Sequence, residues 1–380
     1  MKILFAINQF SDFSGGEIVP LEIAEYLKSL GHDCLIGANY IAEPLQKFAQ
    51  DQQIDLIDNL TDMNGFDFDL VWLHCQTAPL LKYEIGETSR PRTFFAFIHL
   101  SSQVGLEYPG LFHEPLLADA ILANSAETRQ HLIALGVDED SITIFPNPAP
   151  RGFWRDVGNR QAIKQLRSAT LVSNHPPPEI LAALEILKAK GLEVGVIGRD
   201  ALYRRVTPAM MSQTDMVITI GKTVQYALAS GVPAYVYDRY GGPGYLSAAN
   251  FDGAAGANFS GRCCRRQADA TTIAEEITYG FLEASRFAAG LDASSRAEFR
   301  LEPHIDRLLA AVPSAADNSV RLTQLEKGRG MMMRERALAL TIRDYFSAHL
   351  RSKAKVRRLR RVIKGLRSKQ TGLSNPNPSP

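Results

Sequence analysis

Short, unbroken apolar runs alternate along the chain with longer stretches in which apolar residues recur every three or four positions. Runs such as Ile3-Leu4-Phe5-Ala6-Ile7 predict strands at Lys2–Ile7, Asp33–Gly37, Asp69–His74, Thr93–His99, Ala120–Asn124 and Ile142–Phe145. A second series follows at Ala169–Asn174, Glu193–Gly198, Met216–Ile220 and Ala234–Asp238. The longer-period stretches predict helices over Ile18–Leu30, Ala126–Leu135, Pro178–Lys190, Val224–Ala229 and Thr272–Ala288. Strands that are apolar throughout, rather than alternating, belong to parallel sheets covered by helices on both faces. The βαβα order therefore predicts doubly wound α/β domains.

The rhythm breaks at Pro146-Asn147-Pro148-Ala149-Pro150, which regular structure cannot accommodate. This places a first Rossmann-like domain over 1–150, a linker over 151–166 and a second Rossmann-like domain over 167–295. Strand patterns then stop. Helices are expected across 296–350, at Arg300–Ala311 and Gln324–Leu350, and 351–380 reads as a basic helix with a disordered tail.

Composition changes the picture only locally. The 380 residues are 45% hydrophobic and 22% charged, as in an ordinary globular protein, with 42 basic against 41 acidic side chains. Ten of the cations fall between Arg351 and Lys369 without one acid, leaving 32 against 41 elsewhere. A globally basic nucleic-acid binder is thereby excluded, and no DNA partner is expected. Cys34, Cys75, Cys263 and Cys264 have neither disulfide-framework nor zinc spacing, which fits a reducing compartment. The short apolar start lacks a cleavage site, and no 18-residue apolar stretch occurs. A cytoplasmic location is expected, with at most a peripheral contact on the inner face of the cell membrane.

Ligands of open parallel sheets bind beyond the carboxyl ends of the strands. Those positions are polar or glycine here: Ser14-Gly15-Gly16, His74, His99, Asn124, Ser173-Asn174-His175, Gly198-Arg199, Gly221-Lys222-Thr223 and Asp238-Arg239-Tyr240-Gly241-Gly242. Two such rims facing each other describe an interdomain cleft. Ser14-Gly15-Gly16 lets backbone approach an anion at a helix start, although a plain tight turn accounts for it equally well. Gly221-Lys222-Thr223 is sharper, offering N–H donors, a cation and a hydroxyl to a diphosphate. The alternative for Lys222 is a solvated first-turn lysine, badly placed in the helix dipole by roughly 0.3–1 kcal/mol. Neither a P-loop nor GxGxxG is present. His99 reads equally as a packed strand-end residue or a group facing the cleft. Asp67-Phe68-Asp69 and Asp138-Glu139-Asp140 are DxD patterns that could hold a metal–diphosphate but read better as loop acids, so no metal site and no cofactor is expected.

In this order, four stretches resemble GT-B glycosyltransferases of the bacterial group-1, family 4-like class. They are Ser14-Gly15-Gly16 with Leu30-Gly31-His32-Asp33; Ile121-Leu122-Ala123-Asn124-Ser125 with Leu135-Gly136-Val137 and Ile144-Phe145-Pro146-Asn147; Leu171-Val172-Ser173-Asn174-His175 with Glu179; and Ile220-Gly221-Lys222-Thr223 through Gly231-Val232-Pro233 to Tyr237–Gly244. The resemblance spans about residues 1–290. It implies a GT-B fold, two doubly wound domains with parallel sheets facing across a cleft, plus C-terminal helices. It also implies a hexosyltransferase-type, retaining, metal-independent enzyme that takes a nucleotide-sugar as donor substrate.

Under the resemblance Gly15 and Gly16 contact donor phosphate, and Ser173, Asn174, Gly221, Lys222, Thr223, Gln225, Asp238, Gly241 and Gly242 belong to the donor site. Lys222 and Arg199 neutralise the leaving diphosphate, and His99 positions the acceptor hydroxyl. One departure stands out. The family's Glu-x7-Glu motif maps to Ile218 and Tyr226, so neither carboxylate is present, and Lys222, Thr223 and Gln225 are the candidates for part of that role.

The Arg351–Lys369 segment spaces Val356, Leu359, Val362, Ile363 and Leu366 by three and four among its cations, a pattern suited to an anionic membrane surface. A solvated or packed terminal helix fits the same pattern. The acceptor expected alongside is a glycan or lipid-linked glycan of cell-envelope polysaccharide or lipopolysaccharide synthesis. A sugar-nucleotide epimerase on the same fold, and a non-catalytic nucleotide- or glycan-binding relative, remain the alternatives.

Overall fold

The computed structural model describes residues 1–154, 162–199 and 201–373. Part of the expected linker and the expected disordered tail, at 155–161 and 374–380, lie outside the described residues, as do the side chains of Arg357, Arg360, Arg361 and everything from Lys364 onward.

The first sheet contains β1 (Lys2–Ile7), β2 (Asp33–Ala38), β3 (Asp55–Ile57), β4 (Leu70–His74), β5 (Phe94–His99), β6 (Ala120–Ala123) and β7 (Ile142–Ile144). All seven run parallel, in the order β3-β2-β1-β4-β5-β6-β7. Its first four helices are α1 (Gly15–Ser29), α2 (Leu45–Asp51), α3 (His113–Leu117) and α4 (Ala126–Ala134). The unbroken apolar run of β1 has a direct cause. Ile3, Phe5 and Ile7 pack on one face against Ile18, Leu21 and Leu27 of α1, while Leu4 and Ala6 join Val71, Leu73, Phe95 and Phe97 on the other.

The second sheet contains β8 (Ser168–Val172), β9 (Glu193–Ile197), β10 (Met216–Thr219), β11 (Ala234–Asp238) and β12 (Gly241–Tyr245), in the order β12-β11-β10-β8-β9. Its helices are α5 (Pro178–Ala189), α6 (Pro208–Ser212), α7 (Lys222–Ala229), α8 (Phe251–Gly256), α9 (Ala270–Gly290) and α10 (Ala293–Ala297). The expectation of a purely parallel sheet needs correction here, because β12 pairs antiparallel with β11. Gly241-Gly242-Pro243-Gly244 is thus an edge strand rather than a ligand loop. Pro243 is tolerated because β12 has a neighbour on one side only. The turn into it needs glycine: Gly241 has φ +89°, and a Cβ there would sit 2.0 Å from the Arg266 carbonyl oxygen.

The last helices, α11 (Leu301–Ala311), α12 (Asn318–Lys327) and α13 (Arg329–Leu373), return to the first sheet. Leu301 and Ile305 join the α1 face, and Leu325 and Ala339 close the opposite one. Arg321 fixes this return by pairing with Asp119 at 2.6 Å and donating to the Thr93 carbonyl, with its guanidinium almost wholly buried. The segment beyond 296 therefore completes the first layer.

Candidate functional site

The carboxyl ends of the two sheets meet around a cavity of about 520 Å³, a volume typical of small-ligand sites. The first half supplies Ser14, Gly15, Gly16, Leu100, Asn124 and Asn147. The second supplies Ser173–His175, Gly198, Tyr203–Val206, Thr219–Thr223, Tyr226, Tyr237–Tyr240, Asn258 and Arg262. Two helix starts open into this space. Gly221 begins α7 with φ +57°, ψ −131°, a backbone suited to glycine, and the first amides of the helix, Lys222 and Thr223, have no intrahelical acceptor. At α1, the Gly15 Cα faces Lys222, so a Cβ there would lie 3.7 Å from the Lys222 Cβ. The α1 and α7 termini are in contact, and both present positive dipole ends to one cavity.

Charges from opposite halves pair around the rim. Lys222 Nζ lies 2.6 Å from Glu22 of α1 and also donates to the Asn147 and Pro148 carbonyls. The same Glu22 accepts from the Tyr226 hydroxyl and from Arg205 at 3.3 Å, and Arg205 forks onto Glu25 at 2.7 and 2.8 Å. Asp12 pairs with Arg199 and accepts from the Tyr203 hydroxyl at 2.5 Å. On the far side, Arg262 engages Glu127 through Nε and Nη2 at 2.7–3.0 Å, and Asn147 donates to Asn258 at 3.3 Å.

These pairs revise the expected roles. Lys222 is neither solvated nor free for a leaving group: its side chain is 7% exposed, and an ammonium so buried requires the contacting carboxylate it has. Burial lowers its pKa, against the opposing pull of Glu22. Arg199 lies outside the cavity wall, held by Asp12 and 3.0 Å from the His175 ring. Tyr226, at the position of the second motif glutamate, lines the cavity with its ring stacked on Phe153 and its hydroxyl donating to Glu22.

His99 is fully buried and also off the wall, with Nε2 2.9 Å from Glu114 and Nδ1 2.7 Å from the Glu107 carbonyl. Burial favours its neutral ring, but the Glu114 carboxylate, together with the Glu107 carbonyl and charge, outweighs this and raises its pKa. Its geometry ties β5 to the 105–114 segment and gives no access to an acceptor in the cleft. Gln225, Gly241 and Gly242 lie outside the wall as well: Gln225 is buried in α7, and the glycines form the β11–β12 turn and strand.

Gly15, Gly16, Ser173, Asn174, Gly221, Lys222, Thr223 and Asp238 do line the cavity. Asp238 is occupied structurally, accepting from Tyr240 N at 2.7 Å and Gly261 N at 3.1 Å. The DxD acids serve the fold too. Asp69 accepts from Lys2 N and pairs with Arg90, Asp67 accepts from Asn64, and Asp138 caps the turn at 139–141.

Sequence reasoning missed Arg204, and it named Arg239 on the rim without giving it a role. Arg204 is exposed, lines the cavity and has no partner among the described residues. Arg239 lies over the Tyr240 ring and donates to its hydroxyl at 2.7 Å. The Thr223 hydroxyl likewise has no partner among the described residues. The Arg204-Arg205 pair, close after a strand end, is the signal that could have drawn attention. With Arg205 paired and Arg204 without a partner among the described residues, the site offers cations, amides and a hydroxyl suited to a diphosphate.

No protein-family model matches the chain, and no curated protein matches it in sequence. Solved structures do. A glycosyltransferase from Rickettsia africae aligns with a TM-score of 0.52 at 14% identity, covering 82% of this chain and 98% of that one. Alr3699/HepE of Anabaena in complex with UDP-glucose aligns with a TM-score of 0.52 at 14% identity, covering 83% of this chain and all of that one. The same protein with UDP and glucose gives 0.51 at 15%. At such identities the likeness establishes architecture, and the chain has the two-domain GT-B fold.

Proposed function

We propose that the protein is a glycosyltransferase that moves a sugar from a nucleoside-diphosphate sugar bound in the cleft. One observation carries the reading: two helix N-termini from opposite halves open into one cavity that also holds Arg204, a cation with no partner among the described residues. Fixed amides and a cation stabilise a departing diphosphate because they need no reorganisation as charge develops on it. Thr223 and the α7 amides would face the diphosphate, with Arg204 and Arg239 over its negative oxygens. The Anabaena structure with UDP-glucose supports testing uridine sugars first.

The reaction is proposed to retain anomeric configuration and to proceed without a metal, with a glycan or lipid-linked glycan of the cell envelope as acceptor. Release of nucleoside diphosphate from UDP-, GDP-, ADP- and dTDP-sugars, with and without chelator, tests this. Turnover that survives chelation and falls at least about tenfold in Arg204→Ala is expected for loss of one charge-assisted contact. Donor binding without any release would instead identify a non-catalytic binder.

A further inference from the structure

Helix α13 is anchored over its first half, and beyond it the described side chains are exposed. Arg336 donates to the carbonyls of Pro79, Leu80 and Leu81 at 2.8–3.0 Å, Glu335 accepts from Leu111 N at 2.7 Å, and the Ser347 hydroxyl donates to the Asn39 carbonyl at 3.1 Å. From Arg351 on, every described side chain is exposed, yet the helix continues to Leu373. At 1.5 Å per residue, the stretch beyond Ser347 is roughly 40 Å long.

Its exposed face is not uniformly polar. Val356, Leu359, Val362 and Ile363 are 46–53% exposed. At 3.6 residues per turn they fall within an arc of about 120°, with Arg351, Lys353 and Arg358 outside it and Lys355 just inside its edge. We propose that this free half of α13 lies on an anionic lipid surface, with the aliphatic stripe in the headgroup boundary and the cations on lipid phosphates.

The charge pattern selects this occupant. A second copy would bring ten cations against ten with no acid between Arg351 and Lys369 to offset them. A nucleic acid would leave the aliphatic stripe unused, and no Phe, Trp or Tyr follows Phe346 to stack on bases. The root of the helix also matters. Asn39 follows β2 and donates to Asn8, which follows β1, at 3.2 Å. The helix therefore leaves the body at the rim of the first sheet that faces the cleft, so a bilayer bound there lies beside the first half. The docking itself stands independently of the proposed transfer reaction.

The test is sedimentation of the full-length protein with phosphatidylcholine vesicles, alone or with about one-third phosphatidylglycerol, at low and high salt. Binding to the anionic vesicles only, weakened by salt, is expected. Lys353→Gln with Arg358→Gln should weaken it about thirtyfold, at about fivefold per cation. Leu359→Gln with Ile363→Gln should weaken it comparably, while melting temperature and nucleotide binding stay unchanged in both variants. Equal binding to both vesicle types, or no binding, overturns the proposal. So does a stripe variant that binds like wild type, a vesicle-independent dimer lost in that variant, or tight binding to RNA in place of vesicles. Failure of sugar transfer with vesicle binding intact would refute only the enzymatic reading.

Discussion

The Glu22–Lys222 contact links α1 of the first half to α7 of the second, with side chains 0% and 7% exposed and charged atoms 2.6 Å apart. Removing one member of such a pair strands the other and costs about 3–5 kcal/mol. In Glu22→Gln the Lys222 ammonium loses its carboxylate and keeps the Asn147 and Pro148 carbonyls and the Tyr226 ring face, while Arg205 retains Glu25, so the cost falls on the lysine. At about 2–4 °C per kcal/mol for units of this size, melting should drop by about 6–20 °C. Lys222→Met should cost less, because Arg205 and the Tyr226 hydroxyl still face Glu22. The double variant leaves neither member as a buried unpaired charge, and its destabilisation should fall short of the sum by at least about 2 kcal/mol. Urea denaturation of the four proteins, followed by fluorescence and circular dichroism, closes the cycle. Strict additivity within about 0.5 kcal/mol would show that the pair does not join the halves.

Other outcomes follow from single residues. Burial raises the Glu17 pKa from 4.5 to about 7 despite hydrogen bonds from Ser11, Asp12 and Ser14. The native state then holds this proton more tightly than the unfolded chain, so stability should fall as pH rises from about 4.5 to about 7. Glu17→Gln should flatten that slope in urea midpoints taken at intervals across the range, and an unchanged slope would remove Glu17 from the explanation. His99→Ala leaves the Glu114 carboxylate buried without its partner and should cost about 3–5 kcal/mol in calorimetry while nucleotide affinity is retained. Lost affinity in a folded variant would return His99 to the site. Gly241→Ala, whose Cβ would lie 2.0 Å from a backbone oxygen, should fail to give soluble protein, whereas Gly15→Ala makes an ordinary 3.7 Å contact and should melt like wild type.

The strands that pack on both faces were legible because burial forces an unbroken apolar run, as in β1 and β5. Strand β3, three residues at a sheet edge, has no room for a pattern, and the Gly241–Tyr245 strand has none because backbone contacts with β11 and Arg266 hold it. The site was legible at its helix starts, where Gly221 and Ser14-Gly15-Gly16 announce special backbone. Its charges were not. Glu22 and Lys222 are 200 residues apart and meet only after both halves fold, so a lysine ready for a ligand and a lysine already paired look alike in sequence. His99 stays open in the sequence for a related reason: a strand end reaches the rim, and only the fold brings up the Glu114 carboxylate that holds its ring inside the protein.

The central claim is that the cleft binds a nucleoside-diphosphate sugar through the α7 terminus and Arg204. Thermal stabilisation of the purified protein by UDP-, GDP-, ADP- and dTDP-sugars and their free diphosphates tests it most directly, with Arg204→Ala alongside because that exposed side chain has no hydrogen-bond or ion-pair partner among the described residues. A ligand at one hundred times its dissociation constant adds about 2.7 kcal/mol, a readily measured rise in melting temperature. The expected result is a rise with one nucleotide family that is lost at the same concentration in Arg204→Ala, whose melting without ligand matches wild type. Folded wild-type protein that no nucleotide stabilises would contradict the claim.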